Sequence, residues 1–142
     1  MSGRRALADV GVGETIGELR AEVDRARLVA YAAASGDHNP IHWNERVATS
    51  VGLPGVIAHG MWTMGAASTI LTRWAGDPAA VLSYSCRFTK PVPVPDPGSA
   101  ELVITGRVSA VDSSAGTADL DLDVRLAGTT VLGRARATVK LS

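Results

Sequence analysis

Residues 61–74 are apolar almost without interruption, broken by threonines, Ser68 and Arg73. The stretch falls short of the ~20 residues needed to cross a bilayer. It is expected as a buried helix, starting near His59-Gly60 and running to about Trp74, which the rest of the chain must cover. Its small residues, Gly60, Gly65, Ala66, Ala67 and Ser68, let other backbone or a ligand approach closely. Covering such a helix calls for a sheet with one apolar face.

That sheet is legible in the second half. Leu120, Leu122, Val124 and Leu126 alternate with Asp119, Asp121, Asp123 and Arg125, a period of two with one wet face. Val131, Gly133, Ala135, Ala137, Val139 and Leu141 alternate with Leu132, Arg134, Arg136, Thr138 and Lys140, and Gly128 supplies the turn between the two runs. In matching register the aspartates of one strand face the basic residues of the next. Further strands are expected over 102–111, with a turn at 112–116, over 81–88 and, with a weaker pattern, over 15–23. In the first half, Asp24 caps a helix reaching Ala34 that Gly36 ends, and Asn44 caps a short one that Gly52 stops. Val47, Ala48 and Val51 fall on one face of that short helix. The prolines of Pro91-Val92-Pro93-Val94-Pro95 remove every other backbone donor, which keeps the segment out of a sheet interior and makes it an extended connection ending in a turn at Asp96-Pro97-Gly98. Helices followed by strands define an α+β class.

A chain of 142 residues fits one domain, 1–142, around one core. Basic and acidic residues balance at 14 each, so nothing marks a nucleic-acid or anionic-membrane partner. Cys86 is the single cysteine, which excludes an intrachain disulfide and suits a reducing cytoplasm. The basic start, Met1-Ser2-Gly3-Arg4-Arg5, is not followed by an apolar run of signal-peptide length, since Asp9 and Glu14 interrupt it.

Chemistry concentrates in Asp37-His38-Asn39-Pro40-Ile41-His42 and Ala58-His59-Gly60-Met61. Asp37 alone reads as a turn residue and His42 alone as a half-buried histidine. Together, held apart by a proline-stiffened turn, a carboxylate and an imidazole are acid–base equipment for handling a water. Asn39 is expected to hold the turn and His38 to point outward. Gly60 leaves room for a carbonyl oxygen at a helix N-terminus, where unpaired N–H groups favour developing negative charge. His59 is expected to cap or orient that helix entry rather than to react. The spacing of His38, His42 and His59 matches no zinc motif, so no metal is expected. Cys86, between Ser85 and Arg87, has no basic partner placed beside it and reads as structural. Ser68 lacks a Gly-x-Ser-x-Gly setting, the aspartates at 119, 121 and 123 form a solvated strand face, and no nucleotide-binding loop is present.

The segment Tyr31-Ala32-Ala33-Ala34-Ser35-Gly36-Asp37-His38-Asn39-Pro40-Ile41-His42 resembles the hydratase motif of the MaoC-like, R-specific enoyl-thioester hydratases. Ile57-Ala58-His59-Gly60-Met61 resembles that family's second signature. Trp74-Ala75-Gly76-Asp77-Pro78, Arg87-Phe88-Thr89 and the proline-rich run resemble in particular the small actinobacterial β-hydroxyacyl-carrier-protein dehydratase subunits. The resemblance implies a hot-dog fold, a long central helix wrapped by a curved five-stranded antiparallel sheet. It also implies pairing of two such folds, as a homodimer or as a heterodimer with a related hot-dog subunit.

By the same resemblance, Asp37 and His42 activate a water and move the α-proton between them, and the Gly60 N–H polarises a thioester carbonyl. Ser68 falls where some single-chain hydratases place a serine near the pair. The elongation-type subunits often have glycine there, so Ser68, like Asn39 and His59, is a supporting candidate. The implied activity is reversible dehydration of R-3-hydroxyacyl thioesters and hydration of trans-2-enoyl thioesters in fatty-acid metabolism, a hydro-lyase reaction without metal or redox cofactor. Coenzyme A or acyl carrier protein would carry the substrate. A hot-dog acyl-thioesterase and a non-catalytic acyl-binding subunit are the alternatives. The Asp-x-Asn-Pro-x-His order argues against the first, and retention of both Asp37 and His42 against the second.

Overall fold

A computed structural model of the chain describes residues 3–142. Strand β1 (Thr15–Asp24) leads into helix α1 (Arg25–Ser35), then short helix α2 (Glu45–Ser50) and long helix α3 (Gly60–Ala75). Strands β2 (Val81–Phe88), β3 (Ser99–Asp112), β4 (Thr117–Leu126) and β5 (Thr129–Lys140) complete the chain. All five strands join one antiparallel sheet in the order β1-β3-β4-β5-β2. The weakly patterned 15–23 segment is thus a full strand, paired with β3 along its length.

The local signals act as read. The Asp24 carboxylate accepts from the Arg27 N–H, and Gly36 closes α1 in the left-handed region at φ 76°, where its missing Cβ removes the steric cost. The Asn44 side chain accepts from the Val47 N–H at the head of α2. Ala48 is fully buried from that helix, but Val51 is exposed, because α2 ends at Ser50 and its last turn faces solvent.

The concave face of the sheet holds α3. Thr63, Ala67, Ile70, Leu71, Trp74 and Ala75 form its buried stripe, against Leu102, Ile104, Leu120, Val124 and Val139 from the strands. Each such large side chain contributes roughly 1.5–3 kcal/mol on burial, and truncating the fully buried Leu71 to alanine would cost roughly 2–5 kcal/mol. The sheet covers α3 as expected, on one side of the helix. Met61, at 60% exposure, and Gly65 lie open, with Met64 and Ser68 half-buried on the same side. One sheet reaches one side of a helix, and the opposite side needs something else.

Strict alternation along β5 is also corrected. Val131 and Leu132 are both buried, and the pairing with β2 shifts between Ser85 and Arg87, opposite Arg136 and Gly133. Arg134 sits at φ 48° there. This bulge turns Leu132 inward, while Ala135, Ala137, Val139 and Leu141 keep the inward phase. Of the expected cross-strand charge pairs, Asp121 meets Arg136 at 3.4 Å. Asp119 instead accepts from the Thr138 hydroxyl, and Asp123 from Arg125 of its own strand. The proline-rich segment runs outside the sheet as expected, but it is tied down. Val94 N–H donates to Val56 C=O at 2.9 Å and Ala58 N–H to Val92 C=O at 2.8 Å, fixing residues 56–58 just ahead of α3.

Candidate active site

The loop after α1 is built from its own side chains. Asn39 N–H donates to Asp37 Oδ1 at 3.1 Å, and Ile41 N–H donates to Asn39 Oδ1 at 3.2 Å. Pro40 opens a single 3-10 turn, Pro40–His42. Asn39 therefore holds the turn as read, and His38 is exposed, its carbonyl accepting from Trp43 Nε1 at 3.0 Å. The turn separates the two reactive groups by environment. Asp37 stays on the rim with its side chain 53% exposed, whereas His42 swings into the protein and is buried.

His42 Nδ1 lies 2.7 Å from the Ile57 carbonyl oxygen. A carbonyl only accepts, so Nδ1 carries a proton, and it is the Nε2 atom of the neutral tautomer that offers the lone pair. The Ile57 carbonyl is itself held, since Ile57 N–H donates to Ile41 C=O and the proline-rich segment clamps both of its neighbours. Nε2 faces Asp37 Oδ2 at 3.9 Å. That gap is too long for a direct hydrogen bond. A water about 2.8 Å from each atom would span it, with one hydrogen for the imidazole and one for the carboxylate. Its oxygen lone pairs then point away from both.

Gly60 is the first residue of α3 and lines a cleft of about 320 Å³ together with His42, Ile57, Thr63, Phe88 and Leu132. No acceptor among the described residues takes the Gly60 N–H, as expected for a helix start. A Cβ on Gly60 would sit 3.0 Å from the Phe88 ring. The glycine thus leaves its N–H approachable under an aromatic wall. The other walls are mainly apolar, and Thr89 and Lys90 stand at the exposed side.

His59 holds the N-cap position of α3, its C=O accepting from the Thr63 N–H at 3.2 Å. Its side chain makes no cap bond to α3. The ring is buried, at 1% exposure, and stacks on His42 with centroids 3.8 Å apart and planes 23° from parallel. Its Nε2 lies 3.1 Å from the Asp37 carbonyl oxygen, and its Nδ1 has no partner. Burial lowers its pKa below the usual histidine value, with His42 adding to the effect and the Asp37 carbonyl opposing it.

Asp37, His42 and His59 bring possible ligand atoms within 4.8 Å of one another. Imidazole lone pairs lie in the ring plane, and two nearly parallel rings 3.8 Å apart direct them side by side rather than at one ion. His59 Nε2 is moreover committed to a carbonyl. Ser68 is not in the cleft lining. Two turns along α3, its hydroxyl donates to Gly65 C=O at 2.6 Å, and the hydroxyl-bearing residue that α3 contributes to the cleft is Thr63. Thr63 follows Gly60 by three positions, a helical spacing that could have found it. Phe88 and Leu132 were missed, the first because a strand-end aromatic reads as sheet, the second because the bulge inverts its face. Cys86 is half-buried in β2, and burial raises its thiol pKa, which fits a structural residue.

Comparison with known proteins gives the same picture. The profile of the MaoC-like domain matches residues 10–125. The chain belongs to the MaoC-like family. The matched range includes Asp37, His42, His59 and Gly60. Among curated proteins, this MaoC-like chain is 33% identical over 101 residues to an (R)-specific enoyl-CoA hydratase of Rhodospirillum rubrum, covering 70% of this chain and 69% of that one. It is 51% identical over 70 residues to 3-hydroxyacyl-thioester dehydratase X of Mycobacterium tuberculosis, covering 49% of this chain and 24% of that protein. A solved MaoC-like dehydratase superposes with a TM-score of 0.96 at 35% identity, over 99% of this chain and 43% of that one. The fold is the hot dog, as the family resemblance implied. The MaoC-like chain spans about a quarter of the mycobacterial relative and less than half of that solved chain.

Proposed function

We propose that this domain interconverts R-3-hydroxyacyl and trans-2-enoyl thioesters by removing or adding water, a hydro-lyase reaction of fatty-acid metabolism. The observation that carries the reading is the 3.9 Å gap between Asp37 Oδ2 and His42 Nε2, two proton acceptors facing each other at the ring that lines the cleft with Gly60. In the hydration direction, the water in that gap gives a proton to the pair as its oxygen bonds to C3. The C2–C3 π electrons move onto the thioester oxygen, where the Gly60 N–H and the α3 N-terminus stabilise the enolate-like charge. The pair then returns a proton to C2. Dehydration is the reverse. The thioester itself acidifies the α-proton, so the reaction draws on no metal or redox group. Thioesters of coenzyme A and of acyl carrier protein present the same reacting atoms.

We also propose a second hot-dog fold, identical or related, beside this one. The open face of α3 around Met61 and the edge strand β2, with Leu82 and Phe88 exposed, supply the apolar surface. Among the described residues no helix is long and apolar enough to cross a membrane. The free thiol of Cys86 supports a reducing cytoplasm as the setting.

The test supplies a short 2-enoyl thioester and follows conjugated-thioester absorbance and free thiol together. Loss of absorbance without thiol is expected. Thiol release would favour the hot-dog acyl-thioesterase. No turnover would point to an acyl-binding subunit, and turnover only after adding a related hot-dog chain to an obligate heterodimer.

A further inference from the structure

We infer that His59 is the positioning residue of the site, a neutral ring that ties the Asp37 loop and the His42 ring to the head of α3. The inference rests on the reaction proposed above. Asp37 and His42 approach the gap from one loop, and Asp37 is on its exposed rim. Two links join this loop to the segment entering α3. One is the reciprocal Ile41–Ile57 and His42–Ile57 bonding, which serves His42. The other is the His59 Nε2–H donated to the Asp37 carbonyl at 3.1 Å, which serves Asp37. The His59 face also lies flat under His42, and Tyr31 of α1 packs against it with ring centroids 4.7 Å apart. One ring thereby sets the height of the carboxylate loop and the tilt of the imidazole.

The acceptors fix its protonation. A carbonyl demands the hydrogen on Nε2, which leaves Nδ1 as the bare nitrogen. Nδ1 is buried without a partner, so a second proton there would be a buried charge with nothing to receive it. The titratable groups facing the ring are His42, Asp37 and Tyr31. His42 becomes cationic whenever it takes a proton from the water. A neutral ring stacked on it tolerates that charge, and a charged one would oppose it. Burial, which lowers the His59 pKa, works in the same direction.

Two measurements test the inference. Nitrogen-15 NMR of the full chain should find His59 as the Nε2–H tautomer, still neutral when an exposed histidine has titrated. An Nδ1–H tautomer or a charged ring at neutral pH would overturn the inference. In the kinetic arm, His59→Phe keeps the stacked ring and removes both the donor and the unpartnered nitrogen. Its melting temperature should match or exceed the wild type, while kcat falls about 10–100-fold with KM nearly unchanged, the signature of a misplaced group. His59→Gln retains an N–H donor and should recover part of kcat. Wild-type kcat in His59→Phe, or a kcat loss accompanied by equal loss of folded protein in both variants, would overturn it. A wild type that consumes no enoyl thioester defeats the proposed reaction instead, and the tautomer measurement alone then decides His59.

Discussion

At the C-terminal end of α3, Trp74 Nε1 donates to Glu14 Oε1 at 3.3 Å, Arg5 lies over the Trp74 ring 4.9 Å from its centroid, and Arg5 Nη2 pairs with the same carboxylate oxygen. The other Glu14 oxygen accepts from the Gly11 N–H. At the N-terminal end, the Asp37 carboxylate spends one oxygen on its own turn and leaves the other 3.9 Å from His42 Nε2, and the Gly60 N–H is unpaired. Both ends hold a carboxylate, a nitrogen base or cation and an aromatic ring. The tail cluster uses its carboxylate on neighbours and closes the core. The head cluster leaves a carboxylate oxygen unspent on the rim, an imidazole nitrogen facing it, and an unpaired Gly60 N–H in the apolar cleft that His42 also lines. The tail keeps an unpartnered atom too, the buried Arg5 Nε, so what separates a site from a staple is unspent hydrogen-bonding capacity that is open to a ligand rather than sealed in.

Breaking the head should cost activity and little stability. Asp37→Asn keeps the turn acceptor for Asn39 but removes the charge, and kcat/KM for enoyl hydration should fall about 10²–10⁴-fold. The melting temperature should hardly move, because the side chain is exposed. A loss under tenfold would mean that the carboxylate is no more than a turn residue. Gly60→Ala places a methyl 3.0 Å from Phe88, whose ring is 54% exposed and can swing aside over the N–H. Hydration should slow about 10–100-fold, less than outright loss of an oxyanion donor. Thermal unfolding should occur no earlier, since alanine favours a helix by roughly 0.5–1 kcal/mol over glycine.

Breaking the tail should do the reverse. Glu14→Ala strips the partner from Arg5 and from Trp74 Nε1, and denaturant titration should show about 1–3 kcal/mol less stability. Hydration by the folded fraction should stay within about twofold, since the cluster lies the length of α3 from the cleft; a larger drop would mean that the two ends are coupled. The smallest effect sharpens the contrast through pH. The His59 pKa is lower folded than unfolded, so the unfolded chain binds the proton first. The stability this ring contributes is complete above the unfolded value near 6.5 and is lost as pH falls through the folded value. Melting temperature should therefore fall on acidification below that point, and His59→Phe should flatten the fall while Glu14→Ala leaves it unchanged.

How much of this was legible depended on distance along the chain. Asp24, Gly36, Asn39 and Asn44 act on backbone within three residues or at their own dihedral, so their roles follow from type and position. The Asp37–His42 pair was legible because one proline-stiffened turn spans it. The contacts of the His59 side chain lay out of local reach, since its partners are the His42 ring, 17 residues back, and the Asp37 carbonyl, 22 residues back. Leu132 was misplaced because a period of two cannot register a bulge.

By itself, then, the sequence determined the strand and helix inventory, the local caps, the apolar helix and the close approach of the candidate pair Asp37 and His42, all of which rest on short-range hydrogen bonding and on the period of side chains. Only the tertiary structure decided which lone pairs remain unspent. Nδ1 of His42 is committed by a carbonyl 15 residues away and the cleft wall comes from β2 and β5. Such contacts form when the sheet closes over α3, and no local pattern encodes them.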